Sequence, residues 1–174
     1  LDADVFYEKL KHNNLKDNEV CLTFDDAIKC QIDIALPVLE ELKIKSFFFV
    51  YTSVFEEKPD NLEFFRYFRI NCFKSVDEFY DSFYKVLDKD LKSFFEKNSD
   101  KIKDWKKKCP FYSIPDIKFR LVRDIFLTKN QYEDTMFLMF KEKQFNHHDF
   151  SNKLFFKKSD LQTLDNLGHL VGLH

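Results

Sequence analysis

Apolar positions follow two different rhythms along the chain. Val20, Cys21, Leu22, Thr23 and Phe24 form an almost continuous apolar run that stops at Asp25 and Asp26, which predicts a short buried strand ending in two carboxylates. Ile32, Ala35, Leu36, Leu39 and Leu42 then recur at helical spacing. Pro37 has no N–H to donate and fits only in a first turn, so the regular helix is expected to begin near Ile34. Residues 46–53 read Ser-Phe-Phe-Phe-Val-Tyr-Thr-Ser, again without polar alternation, as in a parallel strand covered on both faces.

For about a hundred residues after Phe55 the pattern is helical. Ser75 with Glu78 has the form of a capping box ahead of Val76, Phe79, Tyr80, Phe83, Leu87, Leu91 and Phe94, predicting one long amphipathic helix. Pro110 and Pro115 punctuate a loop, Ile117, Leu121, Val122 and Ile125 repeat at helical spacing, and Asn130 with Glu133 opens a helix carrying Met136, Phe137 and Phe140. Of the 23 phenylalanines, 18 lie in residues 55–156, enough apolar material for a small core of its own or for packing over the strands. The strand and helix rhythm then returns. Ser159 with Gln162 reads as a capping box, Leu161, Leu164 and Leu167 share a face, Gly168 is placed for a left-handed helix end, and residues 169–173 form a third strand. The expected architecture is α/β: a distorted (β/α) barrel, or failing that an open parallel sheet, of which residues 1–55 and 158–174 supply about the first three strands. Residues 56–157 are an α-helical insertion.

Composition narrows the partners. With 28 basic against 30 acidic residues, a net charge of −2 and no one-sided block, the footprint of a nucleic-acid binder is missing. No run of 18 apolar residues suggests a membrane span, and the N-terminal stretch lacks the basic-then-apolar layout of a signal, so the compartment is unassigned. Only two glycines occur, in keeping with a largely helical body. The first residue is Leu, and the last is His174 after an apolar run, so the chain reads as a fragment. Cys21, Cys30, Cys72 and Cys109 form no C-x-x-C pair and read as reduced, partly buried thiols.

In parallel sheets and barrels the working residues sit at the carboxyl ends of strands. Asp25 and Asp26 hold that place after the first strand and His174 after the third. One carboxylate can bind a metal while its neighbour moves a proton, with an imidazole as second ligand, which points to metal-assisted hydrolysis. The alternative is an acidic pair that merely caps the next helix or loop. If both bind one metal, ligand atoms of Asp26 and His174 should lie within about 5 Å.

Thr23-Phe24-Asp25-Asp26 resembles the first motif of the polysaccharide deacetylases, the NodB-homology or carbohydrate esterase family 4 enzymes. The segment A-L-P-V-L-E-E-L-K-I-K-S-F-F-F-V resembles their helix and second strand, and L-G-H-L-V-G-L-H their approach to a second motif, H-[S/T]-x-x-H. The resemblance implies the deacetylase barrel, with Asp25 as general base, and Asp26 and His174 as ligands of a divalent metal, usually zinc. It further implies an acetylated saccharide as substrate and hydrolysis of an amide or ester acetyl group. The second metal histidine, an orienting arginine and an acid histidine would lie beyond residue 174.

The rival class is a non-catalytic helical interaction module, with the barrel strands as scaffold. His169 reads as structural and His147-His148-Asp149 as a solvated loop. Lys106, Lys107 and Lys108 read as a solvated stretch. Aromatic side chains near Tyr51 or Phe55 could stack on a sugar ring. Oligomeric state is not legible.

Overall fold

The computed structural model describes residues 1–56 and 58–174. They form two compact units: residues 1–60 with 147–174, and residues 61–146.

The first unit is built on a parallel sheet of β1 (Thr23–Phe24), β2 (Phe47–Val50) and β3 (Leu170–Leu173), in that spatial order. Thr23 is in register with Phe47, and Phe47 to Val50 with Leu170 to Leu173. α1 (Ala3–Lys11) precedes the sheet and α2 (Leu36–Leu42) links β1 to β2. After the 3-10 turn Thr52–Glu56, the chain re-enters the unit through a turn at His147–Phe150, α9 (Ser151–Leu154) and α10 (Lys158–Asn166). Successive strand residues face opposite sides. Phe48 and Val50 enter a core with Ala27, Leu36, Leu39, Phe156 and Leu164. Phe47 and Phe49 stack on the other face at 5.6 Å, where the Phe6 ring of α1 meets Phe47 edge-on.

Several local expectations need correction. Val20 and Leu22 are exposed; only Thr23 and Phe24 are paired as strand, with the Leu22 carbonyl accepting from Phe47 N–H at 3.0 Å. A π turn over Gln31–Ala35 precedes α2, with Leu36 N–H donating to Gln31 O. This wider turn suits Pro37, which cannot donate and whose ring crowds the carbonyl four residues back. α10 is closed by the Asp160 carboxylate, which accepts from Lys157 N–H at 2.7 Å, and not by Ser159 with Gln162. Its far end is as read: Gly168 has φ +81°. His169 N–H and Gly168 N–H reach Leu164 O and Asp165 O at 3.0 and 2.9 Å, a Schellman end. α1 lacks a clean apolar stripe: Ala3 is buried and Phe6 meets Phe47, while Val5, Tyr7 and Leu10 are exposed.

The second unit holds α3 (Asn61–Asn71), α4 (Val76–Leu87), α5 (Lys92–Lys97), α6 (Ser99–Lys108), α7 (Ile114–Leu121) and α8 (Lys129–Glu142). Its core is aromatic. Phe83 meets Phe119 at 5.0 Å, and Phe68 meets Phe140 at 4.6 Å. Ser75 caps α4 as expected, accepting from Glu78 N–H. The helix ends at Asp88, which is left-handed, so Leu91 and Phe94 lie outside it. α8 opens at Thr128 with Gln131 and not at Asn130 with Glu133. Lys106 is not merely solvated: its ammonium donates to the carbonyls of Pro110 and Tyr112, both at 2.7 Å, tying down the loop after α6.

Candidate functional site

The acidic pair follows β1 directly. Asp26 and Ala27 both adopt positive φ, 73° and 53°, a conformation that L residues with a Cβ enter at a cost of roughly 1–3 kcal/mol each. Contacts on both sides hold it. Ala27 is fully buried, its carbonyl accepts from Phe156 N–H at 2.8 Å, and Gln31 Nε2 donates to the Asp25 carbonyl at 2.5 Å. The sharp reversal leaves Asp25 exposed and Asp26 partly so.

His174 enters from the far strand. Its N–H donates to Val50 O at 2.9 Å, fastening it to the end of β2. Its Nδ1 lies 3.5 Å from Asp26 Oδ1. Because β2 lies between β1 and β3, these two side chains meet across the carboxyl end of the middle strand. Both are about half exposed, 51% for His174 and 41% for Asp26, so the pair faces solvent.

His169 is turned the other way. It is 2% exposed, its Nδ1 accepts from Ser46 N–H at 3.1 Å, and its Nε2 lies 3.1 Å from Glu40 Oε1. An Nδ1 that accepts leaves the proton on Nε2, which donates to Glu40. Burial holds its pKa below the usual value while the Glu40 carboxylate opposes the shift. Lys45, 2.6 Å from Glu40, keeps that carboxyl below its ordinary range, with His169 assisting. This histidine is therefore structural. The His147 and His148 rings lie 4.1 Å apart, tilted by 35°, with His148 and Asp149 exposed. Phe55 packs against the core of the first unit, and Tyr51 is half-buried.

Residues 12–69, about a third of the chain, match the family model described as polysaccharide deacetylase. This segment is polysaccharide deacetylase-like. It spans β1, the acidic pair, α2 and β2, and continues into α3. Comparison with curated proteins finds no match, and comparison with solved structures finds none.

A deacetylase-like segment raises the question of whether these donors suit a divalent metal. Two ligands on a tetrahedral ion with bonds of about 2.05 Å sit about 3.3 Å apart, close to the 3.5 Å between Asp26 Oδ1 and His174 Nδ1. Carboxylate oxygen with imidazole nitrogen is also a donor set that zinc accepts. The pair thus fits one edge of a metal site. Among the described residues no group of three or more His, Cys, Asp or Glu completes it.

Proposed function

We propose that this chain carries part of the active site of a metal-dependent hydrolase that removes N- or O-linked acetyl groups from a saccharide. The approach of Asp26 to His174 across β2 carries the reading. The barrel is part of the proposal: the strands are parallel and their spatial order follows chain order, as successive barrel strands do.

Asp26 and His174 would hold the metal, with zinc the ion best suited to them. When bound, such an ion supplies Lewis acidity that polarises the acetyl carbonyl and acidifies a water. The protein's own work falls to Asp25, which is exposed beside the pair and has no side-chain hydrogen-bond partner among the described residues. As general base it takes a proton from water while the water oxygen bonds to the acetyl carbon. The carbon–nitrogen or carbon–oxygen bond then breaks, releasing acetate, and the proton taken up by Asp25 passes to the leaving amine or alkoxide. The reversal at Asp26 and Ala27 leaves Asp25 exposed and Asp26 against His174, which would keep base and ligand in separate roles.

Zinc titration and acetate release from an N-acetylglucosamine oligomer test the reading. Asp26→Asn and His174→Gln should each weaken zinc binding about 10–100-fold, while Asp25→Asn should leave it within about twofold. Any zinc-dependent acetate release should fall about 10²–10⁴-fold in Asp25→Asn. Equal loss of zinc in all three variants, or no zinc binding by the unmodified chain, would overturn it.

A further inference from the structure

The helical unit carries a basic cluster of its own. Only four of the 28 basic residues are arginine, and all four, Arg66, Arg69, Arg120 and Arg123, line one cavity of about 50 Å³ together with Phe119 and Tyr132. They belong to two copies of one pattern, Phe-Arg-x-x-Arg. The first, residues 65–69, lies in α3; the second, residues 119–123, crosses from α7 into the π turn Val122–Phe126. Three-residue spacing puts both guanidiniums of a pair on one helix face, and each leading phenylalanine is buried in the core.

The neighbouring carboxylates do not saturate this cluster. Asp116 accepts from the Tyr80 hydroxyl at 2.7 Å and from Arg120 Nε at 2.9 Å. Arg123 forks onto Asp124 at 2.6 and 2.9 Å, and Arg66 pairs with Glu63. Arg69 is left over: Asp116 Oδ1 lies 3.9 Å from its Nη1, and its Nε is buried with no hydrogen-bond partner among the described residues. Among the described residues four guanidiniums thus pair with three carboxylates, with Arg69, Arg120 and Arg123 exposed by only 22–25%. A desolvated cation with an idle donor attracts an anion strongly.

We propose that this cavity binds a phosphoryl group. Guanidiniums converging from two helices present donors from different sides, which suits a tetrahedral oxyanion; a planar carboxylate is satisfied by one fork. The volume of about 50 Å³ admits one such group. Tyr132, whose hydroxyl is pushed up to about 12 by burial, stays protonated and adds a neutral donor.

Calorimetric titration of inorganic phosphate into the chain at fixed ionic strength should give saturable binding with a Kd below about 10 mM. Arg69→Lys and Arg123→Lys keep the charge and lose the fork, so each should weaken binding at least about tenfold. Lys103→Gln, on the exposed side of α6, should leave it unchanged. With only four arginines, their Nε–Hε signals in the unmodified protein give a readout that needs no variant: phosphate should shift them and acetate should not. Tighter binding of glycerol phosphate than of inorganic phosphate makes the ligand a phosphorylated molecule, and equal or weaker binding makes it free phosphate; both support the site. Absence of saturable binding, unchanged affinity in both arginine variants, or an acetate response equal to that of phosphate would overturn it.

Discussion

The ring of Phe49 fills the space that a side chain at position 172 would need. The two residues are register partners in β2 and β3, and a Cβ placed on Gly172 would come within 2.7 Å of Phe49 Cδ1. Phe49 also stacks on Phe47 with their planes 8° apart, so its ring cannot turn away without breaking that stack.

Gly172→Ala should therefore lower stability by about 1–3 kcal/mol, the usual cost of overpacking. Urea unfolding measures it as a lower midpoint at unchanged slope. Adding Phe49→Leu to Gly172→Ala should recover part of the loss, giving a favourable coupling in a double-mutant cycle. Strictly additive losses would show that the ring is not the obstacle.

His169 makes stability depend on pH. Burial holds its folded pKa below the ordinary 6.5, so between those two values the unfolded chain binds more protons than the folded one. Its contribution to stability is then full above about pH 6.5 and lost as pH falls through the window below, with stability rising as pH rises. His169→Gln should flatten that slope relative to the unmodified protein, as read from unfolding free energies at about pH 5 to 7.5. A wild-type excess that grew with acidity would contradict the assignment.

Much of the first unit was legible because its strands are continuous apolar runs and its last helix ends at a glycine, Gly168. The approach of Asp26 to His174 was legible for the same reason: residues that follow parallel strands come out at one edge of the sheet. The backbone at Ala27 was not, since alanine disfavours positive φ and contacts from Phe156 and Gln31, which local sequence rules do not foresee, hold the reversal. Helix starts were misread where two polar residues compete. Thr128 and Asn130 both head a three-residue spacing, and the choice depends on Gln131, whose side chain accepts from Thr128 N–H at 2.9 Å. The arginine pairs were missed because three-residue charge spacing is commonplace on helices. The signal lay in the scarcity of arginine among so many lysines.

The first unit is completed by residues far apart in the chain: Ser46 and His169, joined by a buried hydrogen bond, are 123 residues apart. Closing such a loop is slow and entropically costly. Within residues 61–146, α3 meets α8 through Phe65 against Tyr132 and Phe140, so the helices draw the ends of the intervening segment together and shorten the closure that remains. This implies an order of assembly, with helices before sheet. Pulse-labelled hydrogen exchange should protect amides of α3 and α8 before those of β2 and β3. During synthesis the β2 edge that pairs with β3 must wait, unpaired and lined by three phenylalanines, until residues 170–173 leave the ribosome. That interval is when this chain is most exposed to aggregation.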